Sequence, residues 1–354
     1  MLARFWWGSV FLLAVPIMIL VLILGPMLLP EYRDPNTRPL DIISASMSLS
    51  AILLVIYGIK RMAEHGVSAF PLSTVAAGVI IGLLFVRRQN QLEHPLIDLH
   101  LFESRAFSGA LTLYLLATAV VFGVYIYIAQ YLQLVLGLSP LQAGLWTLPW
   151  SFGFIVGTAL APSLARRFDR AVVMGGGMIV GAIGFGLMTN IHGLGTIVAA
   201  SVIFSIGLAP VVTLTSDTIM TSAPPERAGA AAAISETCGE LGGVLGIAIF
   251  GSIGTVMYRA AMQHAPEAAR STLGGALAVA ETLPKGDGAN LLRESRAAFV
   301  HAMELTSAIE TAIVVAMAIF AITVLRRPAV TARPEETADH GSNGAAASRA
   351  DSSR

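Results

Sequence analysis

Apolar runs recur along this chain, each closed by a short polar break. They occupy residues 5–29, 42–60, 70–86, 107–135, 141–165, 171–190, 194–221, 229–258 and 304–325. A helix needs about 20 mostly apolar residues to cross the hydrocarbon core of a bilayer, so the pattern predicts nine membrane-spanning helices. Helices are required because backbone groups in lipid must be satisfied within their own segment. The alternating pattern of about ten residues that marks a membrane β-barrel is absent. The first run, Phe5 to Leu29 with Pro16 inside it, exceeds the 7–15 apolar residues of a secretory signal and is read as a span.

The breaks differ in character. The first is polar and rich in proline (Pro30, Pro35, Pro39), and the third, residues 87–106, is a longer polar link. Residues 259–303 form a long loop in which two short helices are expected, 266–281 and 289–302, separated by LPKGDG. Beyond Leu325 lies an aperiodic tail of Ala, Ser and charge, a composition that does not fold on its own. Cytoplasmic loops carry an excess of Lys and Arg. Arg33, Arg38, Arg87, Arg88, Arg105, Arg166, Arg167, Arg170, Arg227, Arg326 and Arg327 fall in one set of loops, against Arg4, Lys60 and Arg61 in the other. The first set is therefore assigned to the cytoplasm. The C-terminus is then cytoplasmic, and nine spans place the N-terminus outside.

Composition strengthens this picture. The chain is 55% hydrophobic and 12% charged, about half the charge of a typical soluble domain. The expected class is an all-α, multi-pass protein of the plasma membrane. Net charge is +0, which gives no reason to expect a nucleic-acid partner. Cys238 is the single cysteine and forms no intrachain disulfide. The two lysines, Lys60 and Lys285, follow no phosphate-binding glycine run, and no HExxH zinc motif occurs. No enzymatic activity, cofactor or metal is expected.

The candidate chemistry lies in acids inside apolar helices. Glu236 and Glu240 stand four residues apart in AAAISETCGELGGVLGIAIFGSIG (231–254), a spacing that puts both on one helical face. Gly239, Gly243 and Gly246 share or border that face, and small residues let a neighbouring helix approach closely. The pair is expected to look into the bundle or a water-filled cavity, since a charge at the bilayer centre costs at least about 2.5–3.5 kcal/mol. Asp217, Glu304 and Glu310 are further candidates, with a solvated helix end as the simpler reading of Asp217 and an interfacial place equally open to the other two. No Lys or Arg lies well inside a span, so these carboxylates have no evident fixed partner. Such a set suits cations or exchangeable protons.

Aromatic residues accompany the acids. Tyr114, Phe122, Tyr125, Tyr127 and Tyr131 fall in the fourth run, Trp146 and Trp150 in the fifth. Aromatic faces beside carboxylates attract organic cations, which makes Tyr114, Phe122 and Trp150 candidates for substrate contact. Core packing is an equal reading for those three, and an interfacial belt the stronger one for Tyr131 and Trp146. Arg166, Arg167, Asp169 and Arg170 in SLARRFDRAVV form a tight basic turn, with positive-inside anchoring sufficient for the arginines and an interhelix ion pair suggested for Asp169.

Three stretches resemble the major facilitator superfamily, specifically its fourteen-helix drug:proton antiporters of the quaternary-ammonium type. LSPLQAGLWTLPWSFGFIVGTALAPSLARRFDR (138–170) is similar to the helix pair and basic turn opening that family's second half. PPERAGAAAAISETCGELGGVLGIAIFGSIG (224–254) looks like its penultimate helix, and HPLIDLHLFESRAF (94–107) like the link between halves. The resemblance implies that the spans correspond to family helices six to fourteen. Residues 1–30 then hold the last helix of a first bundle, 31–105 two linker helices, 106–326 a second six-helix bundle with an extracellular loop at 259–303, and 327–354 a cytoplasmic tail. The fold expected is an incomplete major facilitator bundle. The function implied is proton-coupled efflux of drugs or organic cations, powered by the proton gradient, with the lipid bilayer, protons and small hydrophobic or cationic substrates as partners. Glu236 and Glu240 would be where drug and proton compete. The first five family helices have no counterpart, so the chain reads as a truncated form, inactive alone. A non-transporting membrane protein, or an exporter of a metabolite or siderophore, is the alternative.

Overall fold

How closely these helices pack is decided by glycine and alanine. In a computed structural model of the chain, which describes residues 12, 14–28, 41–92, 95–224 and 227–324, the elements are all helical. In chain order they are α1 (Ala14–Leu28), α2 (Ile42–His65), α3 (Ala69–Gln89), a 3₁₀ turn (Leu99–Glu103), α4 (Arg105–Gln130) running into a π turn (Tyr131–Val135), α5 (Pro140–Arg167), α6 (Arg170–Leu187), α7 (Leu194–Ser222), α8 (Ala228–Ala261), α9 (Glu267–Ser271), α10 (Leu273–Thr282) and α11 (Lys285–Val324). Among the described residues, eight helices are long and apolar enough to cross a membrane, and Val15–Met27 is a shorter apolar helix. The rest of the predicted first span, the Pro30–Pro39 break and the tail 327–354 lie outside the described residues.

Local chemistry sets the helix starts. Asp41 caps α2 by accepting from the Ile43 and Ser44 N–H groups. Ser139 and Gln142 form a reciprocal capping box at the start of α5, with Pro140 at the first helical position, where its missing N–H costs nothing. Asp169 caps α6 by accepting from the Ala171 N–H at 2.8 Å. This differs from the ion pair expected of Asp169. The N–H groups at a helix start need acceptors, and a carboxylate one residue before Arg170 is placed to supply one.

Small residues then bring the helices together. Gly153 and Gly157 of α5 lie against the α7 backbone at Val202 and Ile206. In α6, Gly177 lies against the Gly207 carbonyl and Gly184 against Phe204 and Ala200. Gly242 and Gly246 of α8 meet the α4 backbone at Leu115 and Ala119, the close approach expected from their spacing. Helices α4, α5, α6, α7, α8 and α11 thus form one bundle, with α4 touching α7, α8 and α11. The α2–α3 pair leans on α8 through α2. The core runs through Val124, Met174, Met178, Phe185, Phe204, Leu208 and Met303, and a smaller cluster joins Leu101, Phe107, Ile219 and Cys238.

One stretch departs from the pattern. The expected helix 289–302 is not separate: α11 runs unbroken through 40 residues from Lys285 to Val324. The long loop therefore narrows to the segment between Ala261 and Lys285, filled by α9 and α10. Gly288 in the helix start packs against the Ala280 carbonyl of α10, a position where a side chain would not fit. Tyr131, assigned above to an interfacial belt, is 4% exposed and belongs to the core.

Candidate functional site

The site is a strip crossing α8, α4 and α5. Gly239 lies beneath the Tyr114 ring and Gly243 beneath the Phe122 ring, each ring standing closer than van der Waals contact, at 2.9 and 3.2 Å, to where a Cβ would be. Glu236 and Glu240 border that contact, and their charges reach the Tyr114 hydroxyl. Tyr125, one turn beyond Phe122 on α4, meets Trp150 of α5 with ring centroids 5.1 Å apart. Trp150 in turn meets Phe204 at 6.0 Å, and Phe204 stacks on Phe185 at 4.9 Å. The aromatics of four helices thus form one connected series.

Glu236 and Glu240 are exposed among the described residues, not turned into the bundle. The reason is helical geometry. Gly242 and Gly246 take the contact with the α4 backbone, and the carboxylates stand beside that seam instead of within it. Phe122 is 46% exposed, and the two acids are exposed as well. Tyr114 is half-buried. Trp150 is also half-buried, yet its indole Nε1 is enclosed with no hydrogen-bond partner among the described residues.

Along α8 the stripe continues from Glu236 and Glu240 through Val244, Ile247 and Gly251, which line a cavity of about 770 Å³ between α2, α4 and α8. The cavity is mixed in character. Ile56, Ile126 and Phe299 contribute apolar walls, while Lys60, Glu64, Arg259 and Glu267 mark its other end. Arg259 donates to the Glu64 backbone carbonyl, which ties α8 to α2 there. A second cavity, about 430 Å³, is almost wholly apolar and lies between α5, α6 and α7.

The remaining acids are placed differently. Asp217 pairs with Arg170 at 2.8 Å, both about half exposed. The interhelix ion pair of the basic turn is therefore made by Arg170 and not by Asp169, and Asp217 is not simply a solvated helix end. Arg166 donates to the Ser163 hydroxyl at 3.3 Å, and Arg167 is exposed. Glu304 accepts from the Ile191 N–H at 2.9 Å, which fastens α11 to the α6–α7 connection. So two of the acids read above as partnerless have fixed partners. Glu310 is 0% exposed, and neither carboxyl oxygen has a hydrogen-bond partner among the described residues.

A polar clasp went unread in the sequence. Arg88 of α3 pairs with Asp41 at 3.1 Å, and buried Gln89 donates to the Ser44 hydroxyl at 2.7 Å while accepting from the Leu96 N–H. The Ser44 hydroxyl and N–H, then the Arg88 guanidinium, hold the Asp41 carboxyl below its ordinary value of 3.8. Asp98 pairs with Arg227 at 2.7 Å, joining the 3₁₀ turn to the start of α8.

Comparison with known proteins places this architecture. The model of the Major Facilitator Superfamily matches residues 1–247. The chain is 39% identical over 337 residues to the multidrug efflux pump LfrA of Mycolicibacterium smegmatis, covering 92% of this chain and 67% of that protein. It is 34% identical over 321 residues to the methyl viologen resistance protein SmvA of Salmonella typhimurium, covering 87% and 65%. The chain thus spans about two thirds of the length of these curated relatives. Among solved structures, a bacterial homologue of the human lysosomal transporter Spinster aligns over 80% of this chain and 65% of its own, with a TM-score of 0.51 and 16% identity, a likeness of fold. The chain belongs to the Major Facilitator Superfamily.

Proposed function

We propose that this chain carries the substrate-handling bundle of a proton-coupled exporter of hydrophobic and cationic compounds in the plasma membrane. The observation that supports this most is the strip on α8 and α4, where Gly239 and Gly243 seat the Tyr114 and Phe122 rings and the exposed Glu236 and Glu240 lie within electrostatic reach of Tyr114. A flat organic cation needs a counter-charge and an aromatic surface, and the strip offers both. The names borne by LfrA and SmvA agree with such a substrate class.

The chemistry follows from the cost of charge in the bilayer. A carboxylate there is worth at least about 2.5–3.5 kcal/mol of penalty, which a bound cation or a bound proton relieves. Cation and proton therefore compete at Glu240, with Glu236 one turn nearer the start of α8. Cation binding displaces the proton, and reprotonation releases the cation. Phe122 and Tyr114 hold the apolar body of the substrate by ring contact and cation–π attraction, with Trp150 behind Tyr125 extending the aromatic surface. Rocking of the bundle against its partner helices alternates access. In this arrangement the Arg166–Arg170 turn faces the cytoplasm, as positive-inside loops do, with the C-terminus on the same side and the N-terminus opposite. Lipid, protons and small apolar or cationic molecules are the partners this requires.

The test is the initial efflux rate of a monocationic dye, a dicationic dye and a neutral compound from energised cells of the native host. These carry either the unmodified gene or a Glu240→Gln allele at matched membrane abundance. Loss of one charge-assisted contact of about 1.5 kcal/mol slows cation export about tenfold, with the neutral compound little changed. Equal rates for both dyes would make Glu240 a structural residue and remove the basis of the reading.

A further inference from the structure

Glu310 lies where no transport step described above uses it. It sits on α11, enclosed between α4 and α8, and is 0% exposed. One oxygen stands 3.1 Å from where a Cβ on Gly123 of α4 would lie, a position also closed by the Phe250 ring of α8. Neither oxygen has a hydrogen-bond partner among the described residues. At 0% exposure an ionised carboxylate here is withdrawn from bulk solvent with no cationic side chain bonded to it among the described residues, and its cost far exceeds that of the neutral acid.

The surroundings hold little else that titrates. Between Ala171 and Leu187 α6 has no ionisable side chain, and neither does α8 between Leu241 and Met257. The π turn meets α11 at Arg296, which donates to the Leu134 carbonyl, and α10 meets it at Gly288. Both are far along the helix from Glu310. On α11 itself, Glu304 is nearly two turns away and is occupied by the Ile191 N–H. The titratable group that faces Glu310 is Tyr127 of α4, with Thr306 beside it.

Tyr127 is committed elsewhere. Its hydroxyl donates to the Phe250 carbonyl of α8 at 2.6 Å, and it fits because residue 254 is glycine: a side chain there would collide with the phenol oxygen. Tyr127 is thus a latch from α4 to α8, and the acid lies behind it.

We propose that Glu310 is an occluded proton-binding site, separate from the α8 strip, that holds its proton while Tyr127 is latched to Phe250 and exchanges it with water when α8 moves away from α4. No covalent bond to carbon changes. The carboxylic O–H breaks, the proton passes to water, and the freed Tyr127 hydroxyl becomes available to donate to the carboxylate left behind. The motion of α8 is taken from the export reading; the protonation of Glu310 in the packed state stands without it.

Infrared spectroscopy of the purified protein in lipid vesicles at neutral pH tests this without any transported compound. The expected result is a protonated-carboxyl carbonyl band that exchanges slowly in heavy water, disappears in Glu310→Gln, moves in Glu310→Asp and stays in Glu240→Gln. Glu310→Asp retains an acid, so the assignment can be read even if the amide variant folds poorly. Loss of carboxylate bands alone in Glu310→Gln, or of no band in either variant, would overturn the proposal. Tyr127→Phe removes the latch, and exchange of the band should quicken about fivefold, the effect of one lost hydrogen bond. Unchanged exchange would refute the latch. A dye-efflux result for Glu240→Gln leaves these readings untouched, so the two ideas fail separately.

Discussion

Gly246→Ala should drive α4 and α8 apart. A Cβ at residue 246 would fall on the Ala119 carbonyl oxygen, with the carbonyl carbon at 2.6 Å and the Cα at 2.7 Å. All three are backbone atoms of a helix and cannot rotate aside as a side chain would. Extra carbon in a packed site costs about 1–3 kcal/mol, and alanine recovers at most about 1 kcal/mol by favouring the helix. Gly251→Ala, on the same helix with nothing within 4 Å of its Cβ, gains the helix preference without the collision. Thermal unfolding in detergent, followed by size-exclusion of the monodisperse fraction, should therefore show Gly246→Ala falling by several degrees, while Gly251→Ala holds or rises. The comparison removes effects common to any glycine replacement in α8. Two equal melting temperatures would refute the seam between Gly246 and Ala119, and with it the geometry that seats Tyr114 and Phe122 on α8.

Glu304→Ala leaves the Ile191 N–H without its acceptor and should cost about 1–3 kcal/mol of stability, while the ratio of cationic to neutral export stays as in the parent. The Asp41 carboxyl is held below 3.8 in the folded state, first by Ser44 and then by Arg88. Its stabilisation is thus full above that value and is lost as pH falls toward the folded one. The melting-temperature gap between the parent and Asp41→Asn should accordingly close as pH drops below about 3.8; a gap that widens on acidification contradicts the clasp. Arg167→Cys, made together with Cys238→Ser, should label only with membrane-permeable thiol reagent in intact cells. The serine replacement is conservative because Cys238 is buried and its thiol donates to the Leu111 carbonyl, a role a hydroxyl can fill. Labelling by an impermeant reagent would invert the proposed topology.

The membrane helices were readable because the period and length of apolar runs depend on the bilayer and not on neighbours. That small residues on α8 admit a close neighbour was readable from their spacing; that the neighbour is α4, and that the acids stand outside the seam, was not. Side-chain destinations were less accessible. Glu240 and Glu310 look alike in sequence, each an acid within an apolar helix and with a second acid one to two turns before it, yet one is exposed and the other is sealed behind Phe250. That difference is set by how α8 and α11 are rotated against α4, which the local pattern does not encode. Glu304 looked partnerless because its partner is a backbone N–H, and backbone groups carry no residue-type signal. Asp169 and Arg170 exchanged roles for the same reason, since the helix start claimed the aspartate. The continuity of α11 through Gly288 goes with its close contact to α10, which overrides the weak helix preference of glycine.

The length of α11 has a mechanical side. At 1.5 Å per residue, its 40 residues make a rod of about 60 Å, while the hydrocarbon layer is about 30 Å thick. The apolar half, from Ala302 onward, matches that layer, and the half bearing Asp287, Arg293, Glu294 and Arg296 projects beyond it. Fixed to this projection at Gly288 is α10, and Leu273 at the start of α10 lines the larger cavity together with Glu267 and Ser271 of α9. The segment from 262 to 284 is thus the head of a lever whose shaft is embedded in the bilayer. For an arm of about 20 Å from Ala302 to Gly288, a tilt of about 10° at the membrane surface carries the head about 4 Å, enough to widen or close the mouth of a cavity in which no residue of the shaft's embedded half except Ala302 takes part.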